Sequence, residues 1–347
     1  MNSRPRLLYT DFFIKLKSWE YWPFGIIQAP LFLYWLWLSL KARSLVFFSA
    51  SNPGILMGGM FGESKYEVLM KVPASLRPRT LRCNEHDTVE KIMSMINTEG
   101  LKFPLILKPD LGERGRLVKK VWNESDIATY LTLIRGDFLV QEFVGLELEF
   151  GVFYVRYPEE SSGKVVSITG KEMLTVTGDG QKSLSQLIYE KERAKLQWNA
   201  LHTIYRDRWD EVIGNGEKLE LVSIGNHCLG TKFLNANHLI TPQLSQSFDH
   251  ISKQIDGFYF GRFDLRTGSI EDLENGKVMI MELNGCGAEP AHIYHPGFPL
   301  REAMKVLFHH WSDIYHISIQ NRRKGVPYIS FEEASRIYRH FRTLAAY

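Results

Sequence analysis

The stretch Val278-Met-Ile-Met-Glu-Leu-Asn284 ends an apolar run on two oxygen donors, Glu282 and Asn284. Residues two apart on a strand point to the same face. Just upstream, Gly261-Arg262-Phe263-Asp264 sets a second carboxylate and a guanidinium on what reads as a neighbouring strand. Asp264, Glu282 and Asn284 are hard oxygen ligands of the kind that suits Mg²⁺, with Mn²⁺ as the alternative. Mg²⁺ commonly takes one or two carboxylates and completes its shell with substrate phosphates. The chemistry this pattern predicts is nucleotide chemistry.

The elements needed to hold a nucleotide come earlier in the chain. Lys65 opens a helical segment, Tyr66–Val72, that stops at Pro73, and Thr88–Ile96 has the apolar spacing of an amphipathic helix. Phe103-Pro-Leu-Ile-Leu-Lys108 is a short strand ending on lysine and closed by Pro109. Leu111–Val118, containing Gly112 and Gly115, follows as a loop running into another strand. A lysine at a strand end can reach phosphates while such a loop folds over them. Two further strands, one from Phe138 and one ending at Val155, meet at Val144-Gly145, which reads as a hinge between two lobes. Hinge amides and carbonyls can meet an adenine edge, and a nearby carboxylate can bind ribose hydroxyls.

In this order the motifs resemble the ATP-grasp superfamily. The matching pieces are Glu-Ser-Lys65, Lys108 with its glycine loop, Gln141–Gly145 with Glu147, and Arg-x-Asp264 with Glu282-x-Asn284. They are similar to those of D-alanine–D-alanine ligase and, through Gly178-Asp-Gly180-Gln-Lys-Ser-Leu, more loosely to those of cyanophycin synthetase. The resemblance implies an α+β fold in which two lobes with antiparallel sheets clamp ATP. It also implies a reaction in which ATP phosphorylates a carboxylate and an amine or thiol attacks the acylphosphate, releasing ADP and phosphate. Lys65, Lys108, Gly112 and Gly115 would then lie at the phosphates, Gln141, Glu142 and Val144 at adenine, and Glu147 at the ribose. Asp264, Glu282 and Asn284 would hold the metal, and Arg262, with Lys108, would stabilise the transferring phosphoryl group. Asn226 and Lys232, in Gly225-Asn-His-Cys-Leu-Gly230-Thr-Lys232, match the glycine-flanked loop facing the phosphates. A kinase that stops at phosphoryl transfer and a non-catalytic ATP-binding module are the alternatives.

On the substrate side, Glu289, Arg156 and Lys171 are candidates to meet the amine or the carboxylate, although each could be an ordinary ion-pair partner. His292 and His295 lack a third ligand at zinc spacing. Leu184–Trp209 carries interspersed Lys and Glu and reads as a solvated helix face.

Composition fits a cytoplasmic enzyme. The chain has 347 residues and a formal charge of +3, with no basic cluster of the sort nucleic acid requires. Three cysteines in no CxxC pair argue against a disulfide framework. The expected division is a front region 1–62, a first lobe 63–144, a second lobe 145–312 and a helical tail 313–347. ATP-grasp ligases usually begin with a full α/β domain, whereas 64 residues precede Lys65 here.

Within that front region, residues 22–40 are apolar, rich in Trp and Tyr, and followed by Lys41 and Arg43. Pro23, Gly25, Gln28 and Pro30 interrupt the first half, leaving 31–40 as a clean helix. The run can pack on the domain, serve a dimer contact, or lie in the inner face of a membrane with its aromatics in the interface. Ser44–Ala50 reads as a buried strand, and Gly58-Gly59 with Gly62 as a loop able to cradle a phosphate or substrate.

Overall fold

The computed structural model describes residues 19, 22, 24–112, 115–222 and 230–345. Two antiparallel sheets organise the chain. The first is built from β1 (Thr80–Cys83), β2 (Leu105–Pro109), β3 (Lys119–Val121) and β4 (Phe138–Glu142), in the order β1-β4-β2-β3. Alternation assigns its faces. Leu105, Leu107, Phe138 and Val140 pack against Ile92, Ile96 and Ile127 of the helices Val89–Thr98 and Glu124–Leu131. Lys108 and Gln141, one residue out of phase, therefore face the second sheet.

That second sheet comprises β5 (Leu148–Val155), β6 (Lys164–Glu172), β9 (Lys232–Asn235), β10 (Phe260–Thr267) and β11 (Met279–Asn284), in the order β11-β10-β5-β6-β9. Phe150, Val152 and Tyr154 of β5 pack on Leu244, Phe248 and Ile251 of the helix Pro242–Lys253. Thr241 caps that helix and Pro242 opens it, where a missing N–H costs nothing. The other face carries Phe153, Val155 and Phe260 under Ile314 and Ile317 of the helix Leu300–Arg323. β5 is thus covered on both sides, which explains its nearly unbroken burial.

Two expectations need correcting. Ser44–Ala50 is no strand; its buried end, Phe47–Ala50, forms a 3₁₀ turn. A short apolar run without alternation suits either state, and here the turn brings Asn52 into the core. Buried Asn52 donates to the carbonyls of Gly58 and Phe260 and accepts from the amides of Tyr259 and Phe260, at 2.8–2.9 Å. Nor is 184–209 one solvated helix. Leu184–Glu190, Glu192–Leu196 and Trp198–Ile204 are short helices closing, with β7 (Thr175–Thr177) and β8 (Lys218–Glu220), around a small core of Leu174, Leu187, Ile188 and Leu201.

The apolar front run is a helix, Phe24–Ala42, that continues through Pro30. Ile27 and Leu31 pack against Ala303 and Leu307 of Leu300–Arg323. On its other side Phe32, Leu33, Trp37 and Leu40 are 56, 67, 49 and 78% exposed. Among the described residues no helix is long and apolar enough to cross a membrane.

Candidate active site

A bulge joins the two sheets. Asp264 faces Glu282 across β10 and β11, but Leu265 faces Ile280, so Met281 is the extra residue. Bulges interrupt the ladder and re-aim groups near sites. The Met281 carbonyl accepts from Lys108 Nζ at 3.1 Å and from Gln141 Nε2 at 3.4 Å. Lys108 also donates to Gln141 Oε1 at 3.1 Å. Its ammonium is almost fully enclosed, and burial lowers its pKa despite the nearby Glu282 carboxylate.

Lys65 reaches the same place from the helix Lys65–Met70. Ser64 caps that helix, and the buried Asp110 carboxylate accepts from Ser64 Oγ at 2.8 Å and from the Tyr66 amide at 2.9 Å. Lys65 Nζ donates to the Gly112 carbonyl and lies 3.8 Å from Glu282. Gly115 has φ +70°, which suits glycine there; between these glycines, Glu113 and Arg114 lie outside the described residues.

On the second sheet Asp264 is the hub. Arg262 donates to it from Nη2 at 2.9 Å and from Nε at 3.2 Å, and Asn284 Nδ2 lies at 2.8 Å. Lys171 Nζ stands 3.1 Å from Asp264 and 3.1 Å from Glu149. Burial alone would raise the pKa of Asp264, but the Arg262 and Lys171 charges outweigh it and hold the carboxyl at about 2. The far oxygen of Glu149 accepts from Arg266 Nε and Nη2 at 2.9 and 2.8 Å, and Arg266 Nη1 binds the Val144 carbonyl. One face of the sheet thus carries a continuous row of alternating charge.

Lys65, Lys108, Gln141, Lys171, Arg262, Asp264, Glu282 and Asn284 gather around this junction, with Gly112 and Val144 tied in by Lys65 and Arg266. Glu142, on the opposite face of β4, turns its side chain to Arg79 at 3.0 Å. Glu147 is exposed before β5, and Lys232 pairs with Glu172 at the exposed sheet edge. Arg156 donates to the Phe258 carbonyl and stacks on Tyr259, away from the row. Asn226 lies outside the described residues. Glu289 is held at the rim by Gln28 at 3.1 Å and by the Tyr294 hydroxyl, while its own carbonyl accepts from Arg262.

Glu149 and Arg266 are absent from the motif reading. Strand alternation could have found Glu149, because it shares a face with Gly151 and Phe153 opposite Asp264 and Arg262. Behind the row, the front loop packs on the segment after Asn284. The amides of Cys286 and Gly287 donate to the Gly58 and Gly59 carbonyls at 3.0 and 2.8 Å.

Among the described residues no three His, Cys, Asp or Glu side chains cluster as a metal site. The donors present are Glu282, one third exposed, the Asn284 amide oxygen, and Asp264, whose carboxylate also accepts from Arg262, Lys171 and Asn284. Two carboxylates and an amide oxygen fit a hard divalent ion that draws its other ligands from phosphate and water.

No protein-family model matches the chain, and no curated protein matches it. Several solved structures are similar. A D-alanine–D-alanine ligase from Bacillus anthracis shares 12% identity over 79% of this chain and 71% of its own, with a TM-score of 0.42. The VanG D-Ala:D-Ser ligase from Enterococcus faecalis shares 14% over 74% of this chain, with a TM-score of 0.41. A bifunctional glutathione synthetase from Pasteurella multocida shares 14% over 70% of this chain, with a TM-score of 0.36. This chain spans 62% of the length of the VanG ligase and 35% of the synthetase. These likenesses are distant, so the functional reading rests on the site's own residues.

Proposed function

We propose that the chain is an ATP-grasp ligase that binds ATP between its two sheets and joins a carboxylate to an amine or thiol, forming ADP. The observation that carries this is the meeting of Lys108 from the first sheet with Lys171, Arg262, Asp264, Glu282 and Asn284 of the second, and with Lys65 from a helix packed on that second sheet. Four cations beside the Asp264 and Glu282 carboxylates suit a polyphosphate accompanied by a metal ion. Arg266 and the Val144 hinge lie at one end of the row, where adenine and ribose would sit. Lys65 and Lys108 would hold the phosphates, and Arg262 would face the phosphoryl group as it moves to the substrate carboxylate. Glu282 and Asn284, with Asp264, would hold Mg²⁺, which supplies charge neutralisation on the phosphate oxygens. Lys171 keeps Asp264 ionised and in place.

The test is incubation of purified protein with Mg-ATP and fractionated cell extract, following nucleotides and phosphate by chromatography. ADP and phosphate released with one fraction, and lost in Glu282→Ala, support the ligase. A phosphorylated product without free phosphate selects a kinase, and ATP binding without turnover selects a regulatory module.

A second reading concerns the front helix. Its exposed Phe32, Leu33, Trp37 and Leu40, followed by exposed Lys41 and Arg43, favour peripheral attachment to an anionic membrane surface. Sedimentation with phosphatidylglycerol vesicles, reduced in a Leu33→Asp/Leu40→Asp variant, is the expected result. Equal pelleting of the variant would rule this role out.

A further inference from the structure

A cavity of about 370 Å³ lies between the second sheet and the helix Leu300–Arg323. Its floor is Phe153, Val155, Val166 and Phe260, Val306 stands on the helix side, and His292 also lines it, next to Pro290. Strand register fixes where this is. Phe153 pairs with Arg262 and Val155 with Phe260 across β5 and β10. Following one face of β10 from Arg266 through Asp264 and Arg262, the next residue is Phe260. The charged row therefore runs directly onto the apolar floor. Pro290, in turn, follows the Glu289 carbonyl that accepts from Arg262 at 3.2 Å.

The buried imidazoles of the wall carry little charge. His292 Nδ1 lies 2.7 Å from Ser167 Oγ, and burial pushes its pKa down to about 4. His310 packs beside the Phe153 and Phe260 rings, at 5.5 and 4.9 Å, and burial pushes it down to about 3. Both imidazoles are neutral at pH 7. Asp313 accepts from the Tyr157 hydroxyl, and burial raises its pKa. Lys305 and His309 line the cavity at its exposed helix edge, Lys305 paired with Glu302 at 2.9 Å and His309 3.6 Å from Asp313. Lys305 is thus already paired at the helix edge, and deeper in, a hydrocarbon body finds aromatic and aliphatic walls. The volume falls in the range of small-molecule sites, about 300–1,000 Å³.

We infer that this cavity receives the uncharged hydrocarbon body of the carboxylic-acid substrate, whose carboxylate is presented to Arg262. The inference rests on the ligase reading for its chemistry but not for its binding. In that chemistry the γ-phosphoryl group moves from ATP to a carboxylate oxygen and ADP leaves. Hydroxylamine, used as a nucleophile, then forms a C–N bond at the carbonyl carbon. The bond to the phosphate oxygen breaks, phosphate leaves, and the nitrogen loses a proton to water.

Octanoate and acetate are the probes, with Val306→Trp and Val166→Trp filling the cavity from two walls. Calorimetry without ATP should show octanoate binding, acetate far weaker, and a loss of about tenfold or more in each folded variant, the scale on which a pocket discriminates hydrocarbon size. With Mg-ATP and hydroxylamine, octanoate should give hydroxamate in preference to acetate. Absence of octanoate binding to the wild type, or binding unchanged in both variants, overturns the inference whatever ATP does. Octanoate binding that the variants abolish, with no hydroxamate formed, leaves the hydrocarbon site standing and counts against the ligase.

Discussion

Replacing Glu149 by Gln keeps the side chain's shape and removes its charge. Glu149 and Lys171 are 7 and 9% exposed at their side chains, and Arg266 is 15% exposed. Stranding one member of a buried pair costs about 3–5 kcal/mol. Lys171 retains Asp264 at 3.1 Å, so Arg266 is the member that loses its carboxylate, which places the cost near the lower bound, about 3 kcal/mol. For 347 residues the unfolding entropy is about 0.7 kcal/mol/K, so the melting temperature should fall by about 4 °C. Arg266 also holds the Val144 carbonyl, so the connection between β4 and β5 should loosen and, on the proposed function, ATP should stabilise the variant less than the wild type. The assay is thermal melting with and without Mg-ATP, with Glu147→Gln as the contrast. Glu147 is exposed, and its variant should melt within about 1 °C of the wild type. Equal behaviour of the two variants would refute the assignment of Glu149 to the charged row.

Lys108→Met should weaken ATP binding by about tenfold or more, because a charge-assisted phosphate contact is lost, while Lys232→Met, at an exposed edge pair, should stay within about twofold; competition with a fluorescent ATP analogue checks both. Acid should destabilise the protein in two stages, read by urea melts at successive pH values. His292 and His310 have folded values of about 4 and about 3, below the ordinary 6.5, so their contribution is present above pH 6.5 and is lost as pH falls towards those values. Asp264, at about 2 against 3.8, contributes above pH 3.8, with a loss of about 2 kcal/mol as pH falls to 2, and Asp264→Asn should lack this second stage. Gly59→Ala should lower the melting temperature, because φ is +79° and its Cβ would stand 2.6 Å from Gly285 Cα; an unchanged melt would show that the front loop does not rest on the segment after Asn284.

Much of this site could be read from the chain because strand periodicity and a few chemically committed residues specify it. Arg262, Asp264, Glu282 and Asn284 share a face by spacing alone, whereas β2 runs one residue past Lys108 and ends on Pro109 itself. What spacing could not supply was partnership. Lys171 reads equally well as a surface lysine or a substrate ligand until β6 pairs with β5 and sets it beside Glu149 and Asp264. Glu147 and Glu149 stand two apart, and only the pairing of β5 shows that Glu149 is the enclosed carboxylate. Met281 is more hidden still, because a bulge has no signature in an apolar run. At the front, Phe47–Ala50 is apolar enough for a strand, and the Asn52 hydrogen bonds that settle its turn depend on residues more than 200 positions away. The exposed stripe of the helix Phe24–Ala42 likewise emerges only once Leu300–Arg323 has covered the opposite side.

Calorimetric titration of the full-length protein with Mg-ATP, beside Lys108→Met and Glu282→Ala, tests the central claim most directly. Saturable binding at one site, weakened in both variants while their melting curves stay cooperative, is the predicted result. No heat of binding to the wild type, or binding indifferent to both substitutions, would contradict a nucleotide site between the two sheets.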